Sequence, residues 1–188
     1  MAVTLTKVNL ADQVERLDKQ INHVVDPTTL SIEELKDYKH KEVGAACEQD
    51  VFNGCEIQLS NGETELFTFK TEDQLNLKAL FDIIVTNPTI ESLPYHPSNG
   101  GCRVFSRADL ITIYTTLLIR LTRLITYGNQ LNMYIKSLEN RDDLLAVTYG
   151  MELPQEYVSN IEAIMAVTIT EMQKILGNVT ATNNENEE

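Results

Sequence analysis

Tryptophan is absent from this 188-residue sequence, so its aromatic side chains come only from tyrosine and phenylalanine. Basic residues are scarce: 15 Lys and Arg stand against 28 Asp and Glu, a formal net charge of −13 at pH 7. A surface that acidic repels phosphate backbones and anionic headgroups, which argues against nucleic acid and membrane as partners. Only three cysteines occur, Cys47, Cys55 and Cys102, an odd number without a framework spacing. They read as free thiols of a protein folded in a reducing cytosol. The start, MAVTLTKVNL, lacks a basic region followed by an apolar one, so no secretory signal is expected. Unbroken apolar runs are lacking as well. The most apolar stretch, LITIYTTLLIRLTRLITYG, carries Arg120 and Arg123 near its middle. Each would cost about 2.5–3.5 kcal/mol inside a bilayer, so no membrane span is expected. The two arginines should snorkel or pair with acids of neighbouring helices.

What is present is a core. Hydrophobic residues make up 43% of the chain, enough for one domain of ordinary size. Residues 1–26 carry Val3, Leu10, Val14, Leu17, Ile21 and Val24, and from Leu10 onward the steps are heptad-like. A helix this short is marginal alone in water. The stripe must therefore pack on the chain's own body, on copies of itself, or on a larger assembly. These six residues are the candidate protein interface, with Asp26-Pro27 ending the helix.

Ser31-Ile-Glu-Glu34 reads as a capping box, opening a helix that ends around Phe52-Asn53-Gly54. Asn61-Gly62 between two β-rich runs predicts a hairpin over about 55–69. A two-residue turn there pairs Leu59 with Thr64, Ile57 with Leu66 and Cys55 with Thr68. Phe67 and Phe69 then face the other way, and both sides of the ribbon want cover. A third strand could come from 92–95 or 102–105. Thr71-Glu-Asp-Gln74 reads as a second capping box, for a helix through Leu75, Leu77, Leu80, Phe81, Ile84 and Val85 that Asn87-Pro88 ends.

Ser106-Arg-Ala-Asp109 caps the dominant element, a helix over about 106–139. Leu110, Leu117, Leu124, Leu131 and Leu138 recur every seven residues, with Tyr114, Leu121, Gly128 and Ile135 between them. Ile111, Leu118 and Ile125 widen the stripe beyond a two-stranded seam, as the central helix of a bundle requires. Asn140 should cap a short continuation ending at Tyr149-Gly150. Pro154 starts a last helix that Gly177 closes, leaving 178–188 as a polar tail. The fold class expected is α+β, predominantly helical. It is a bundle around one long helix with a small hairpin, in a single body over 31–177.

Chemistry is sparsely signalled. PYHPSNGGCRVFSRADL offers Gly100-Gly101 without a lysine or a dinucleotide-type glycine pattern, so it reads as a turn feeding a helix and not as a phosphate loop. His96 and Cys102 have no partners at metal-site spacing, and His23, His40, Cys47 and Cys55 form no such pairs. His40 and Cys47 share a helix face two turns apart, too far for one ion. A catalytic reading would need His96 and Cys102 to converge in a pocket. No enzyme, metal or cofactor is expected.

Three segments in order carry a resemblance: HKEVGAACEQDVFNGCEIQLSNGETELFTFKTEDQLNL, LPYHPSNGGCRVFSRADLITI and YGNQLNMYIKSLENRDDLLAVTYGMELP. Over about residues 39–165 the chain resembles an uncharacterised domain family of bacteriophage tail and baseplate-region proteins. The resemblance implies a structural role in the virion, with other tail or baseplate proteins as partners and no catalytic residues to carry over. It implies synthesis and assembly in the cytoplasm of the bacterial host. A different class, a tail-fibre assembly chaperone left out of the mature particle, is the alternative.

Overall fold

A computed structural model describes residues 25–184 of the chain. The stripe Val3, Leu10, Val14, Leu17, Ile21 and Val24 lies outside the described residues, as do 185–188. After a single 3-10 turn at Pro27–Thr29, capped by Asp26, helix α1 runs over Ile32–Asn53. Its capping box forms as the sequence predicts. The Ser31 hydroxyl accepts from the Glu34 amide, and the Glu34 carboxylate accepts from the Ser31 amide. Gly54 ends the helix at φ +64°.

Strands β1 (Cys55–Gln58) and β2 (Thr64–Phe67) form the expected hairpin, but one residue out of the expected register. Cys55 pairs with Phe67, Ile57 with Glu65 and Gln58 with Thr64. The loop has three residues, not two. The Gly62 amide bonds to the Leu59 carbonyl, and Gly62 adopts φ +88°, the left-handed position that closes three-residue hairpins. A one-residue slip exchanges the faces of one strand relative to the other. Phe67 therefore joins Cys55 and Ile57 on the covered face, and the ribbon needs cover on one side only.

Helix α2 spans Thr71–Thr86, with Lys70 and not Thr71 at its cap position. The Asp73 carboxylate takes the Lys70 amide and the Thr68 hydroxyl, which moves the helix start one residue beyond the expected box. Leu77 and Ile84 are buried, whereas Leu75 and Val85 point outward. Strands β3 (Ser92–Tyr95) and β4 (Arg103–Ser106) pair with each other, antiparallel, and not with the first hairpin. The expected third strand is thus a second two-stranded sheet. The two sheets meet through rings: Phe67 lies 6.3 Å from Tyr95 and 5.9 Å from Phe105. The Ser98 amide adds a bond to the Leu66 carbonyl.

Helix α3, Arg107–Ser137, is the long rod. Ser106 caps it, and Asp109 in its first turn also accepts the Ser60 amide and hydroxyl, tying the hairpin loop to the rod. Helix α1 runs antiparallel to it, with Cys47 against Leu124 at one level and Lys36 near Glu139 at another. Helix α4 (Arg141–Ala146) is capped by Asn140, and helix α5 (Gln155–Asn184) returns along the other flank of α3. Tyr134 meets Tyr157 at 5.7 Å, and Asn160 bonds to Gln130. Helix α5 does not stop at Gly177. The glycines with positive φ are Gly54, Gly62 and Gly150, and only such a left-handed glycine makes a stop. The helix passes through and takes up residues expected in the polar tail.

The heptad leucines serve two cores. Leu110, Ile113 and Leu117 pack with the sheets and α2 through Phe67, Phe105, Leu77 and Ile84. Leu131 and Ile135 pack with α1, α4 and α5 through Leu35, Leu144, Val147 and Tyr157. Leu121 and Leu124, between them, are half-buried. Each fully buried leucine contributes about 1.5–3 kcal/mol of transfer free energy before entropy is counted.

Candidate functional site

The turn-rich stretch before α3 is the connection between β3 and β4. Tyr95 is buried within the ring cluster, and burial, helped by the Asp73 charge, pushes its hydroxyl up to about 12. His96 stacks on the outer side of Tyr95 at 5.1 Å and is exposed, as is Cys102. No hydrogen bond joins these two among the described residues. Ser98 fastens the loop inward, accepting from the Thr68 amide at 2.6 Å. Gly100 sits over Pro97, where a Cβ would come within 2.7 Å of the proline ring. The segment is a fastened turn.

Polar chemistry gathers instead at the waist between the two cores, where the sequence reading had placed no cluster. Arg120 of α3 pairs with Asp50 of α1, as expected of an arginine on that helix. Asp50 also accepts the Tyr149 hydroxyl at 3.1 Å, and the Cys47 thiol reaches the Leu124 carbonyl at 3.4 Å. Burial raises the Cys47 thiol pKa; a Tyr149 hydrogen bond opposes this and the Asp50 charge adds to it. Burial likewise raises Cys55, against the Arg120 charge. Tyr149 is pushed up by burial and then by Cys47 and Asp50. A thiol held protonated is a poor nucleophile and a poor metal ligand. His40, the other residue the sequence put on this face, lies 2.7 Å from Asn132 and away from Cys47's partners. Arg123 is exposed.

Behind the waist, α1 and α3 leave an open groove of about 370 Å³. Small residues make it: Gly44 and Cys47 face Gly128, whose missing Cβ would lie 3.1 Å from the Cys47 sulfur. Leu121, Ile125 and Val43 give it apolar walls, with Asn129, Asn132, Gln74 and Glu48 at the rim. Glu48 is the sole ionisable carboxylate in that lining.

Two buried cations are used by the architecture. Arg107 donates to the carbonyls of Ile84, Asn87 and Ile90, closing the C-terminal end of α2. Lys39 donates to the Val147 carbonyl at the end of α4, with Glu42 3.1 Å away. Neither was legible as buried, because each sits in a charged stretch that looks like a solvated face. Among the described residues there is no group of three or more His, Cys, Asp or Glu able to hold a metal ion. No helix among them is long and apolar enough to cross a membrane. Comparison of the chain with protein-family models, curated proteins and solved structures gives no match.

Proposed function

We propose that this protein is a structural component of a bacteriophage tail apparatus, associated with the tail or baseplate or acting as an adaptor, and that it works through protein–protein contacts. The residue series over about 39–165 is what supports the phage assignment. The observation that carries the non-catalytic part is the use made of the buried polar groups. Arg107 and Lys39 close helix ends, and Asp50, Arg120 and Tyr149 tie α1 to α3 and to the loop before α5. The groove beside them is apolar and presents one carboxylate, Glu48. Acyl transfer, phosphoryl transfer and glycoside hydrolysis all need convergent groups with matched proton affinities.

Apolar side chains left outside fit a role in contacts. Val167 is 64% exposed and Ile164 43% exposed on α5, and Val104 on β4 is 67% exposed. Mass spectrometry of purified particles tests the reading. A structural component is recovered from virions at a fixed ratio to the other tail proteins. Recovery only from infected-cell extracts, with fibres misfolding in its absence, makes it an assembly chaperone instead.

A further inference from the structure

The groove between α1 and α3 has an occupant available in the same chain, and the inference stands whether or not the tail reading does. On α3, Ile125, Asn129 and Met133 follow at i, i+4 and i+8 along its edge, with Ile125 46% and Met133 53% exposed. We propose that the N-terminal stripe of Val3, Leu10, Val14, Leu17, Ile21 and Val24 folds back into this groove as a helix antiparallel to α1.

The point of attachment favours it. The described chain begins at Val25, and the Pro27–Thr29 turn is held by Arg141 donating to the Thr28 carbonyl. That places the turn where α1 starts and α3 has ended. A connection of this length ordinarily joins antiparallel helices. Length matches too. As a helix, residues 3–24 span about 31 Å, and α1 from Ser31 to Val51, the far wall of the groove, spans about 30 Å. Laid back in that register, Leu17 and Ile21 reach the level of Met133. Leu10 and Val14 reach Gly44 and Ile125, and Val3 reaches Val51.

Charge separates this occupant from a second copy. Residues 1–24 hold Lys7, Arg16 and Lys19 against Asp12, Glu15 and Asp18, so the whole net charge of −13 belongs to the rest of the chain. A neutral segment meets no repulsion from the acidic body, whereas a second copy brings another body of the same sign. Tethering adds a high effective concentration without any further contact.

The test uses the full chain and its own thiols. Cys47 lines the groove and Cys102 is exposed, so the ratio of their alkylation rates by N-ethylmaleimide reads the groove against an internal reference. Leu10→Asp combined with Val14→Asp is expected to raise the Cys47 to Cys102 ratio about tenfold or more. The sedimentation mass should be that of one chain before and after. An unchanged ratio overturns the proposal. So does a wild-type ratio that rises on dilution while the mass falls from two chains to one, because the occupant is then a second copy. The opposite wall gives a second reading. A Cβ at Gly44 meets nothing within 4 Å, so Gly44→Phe fills the groove without disturbing the body. Tryptic cleavage after Arg16 and Lys19 should then speed up about tenfold or more; cleavage at the wild-type rate overturns the proposal.

Discussion

Gly54 stands where α1 gives way to β1, at φ +64° with the Phe67 carbonyl oxygen 1.7 Å from where a Cβ would be. Both the backbone conformation and the space exclude a side chain. Gly54→Ala is expected to cost at least about 3 kcal/mol, read as a fall in the urea midpoint with an unchanged slope. The sequence pointed to this glycine as a helix end, but the approach of β2 needs the hairpin register and could not be foreseen. Asp109 is a residue whose value depends on pH. Burial pushes its carboxyl up, but the Ser60 amide, the Ser106 and Ser60 hydroxyls and the Arg103 charge outweigh this and hold it below 3.8. Its stabilising contribution is therefore full above the ordinary carboxylate range and lost as pH falls through the lowered folded value. Asp109→Asn should melt lower than wild type at neutral pH, and the gap should close in melts taken at progressively more acid pH.

Helices in this protein are terminated by their neighbours as much as by their own caps. Helix α2 ends at Asn87, yet its last carbonyls are satisfied by Arg107, twenty or more residues on. Arg107→Met keeps most of the stem and removes the donors, leaving buried carbonyls without them. A loss of about 2–3 kcal/mol in urea unfolding is expected, more than the ~1 kcal/mol typical of losing an ordinary cap such as Ser31→Ala. Element positions were legible because capping boxes, Asn-Gly and proline act locally. Element ends and registers were less so. The hairpin slipped by one because the loop uses Ser60, Asn61 and Gly62 together, with Ser60 held by Asp109. Thr71 lost its cap role to Asp73's reach toward Thr68 and Lys70. Gly177 failed as a stop because no left-handed turn forms there.

At the scale of the molecule, one rod joins two cores, and its leucines are unequal. Leu131 is fully buried, while Leu124 lies at the half-covered waist. Leu131→Asp is expected to abolish cooperative melting in circular dichroism, costing more than about 4 kcal/mol, since a lone charge is placed where no partner can reach it. Leu124→Asp should be milder, because its neighbourhood opens toward solvent and toward Arg120; the heptad alone ranks the two equally. By itself the sequence determined the fold class, the rod and most helix starts, since periodicity and capping depend on residues a few positions apart. Tertiary structure alone decided the strand partners, the two-core division, the Asp50–Arg120–Tyr149 cluster and the groove beside it. Those depend on distant segments whose approach is set by side-chain volume, as at Gly128 against Cys47, and no local pattern encodes that distance.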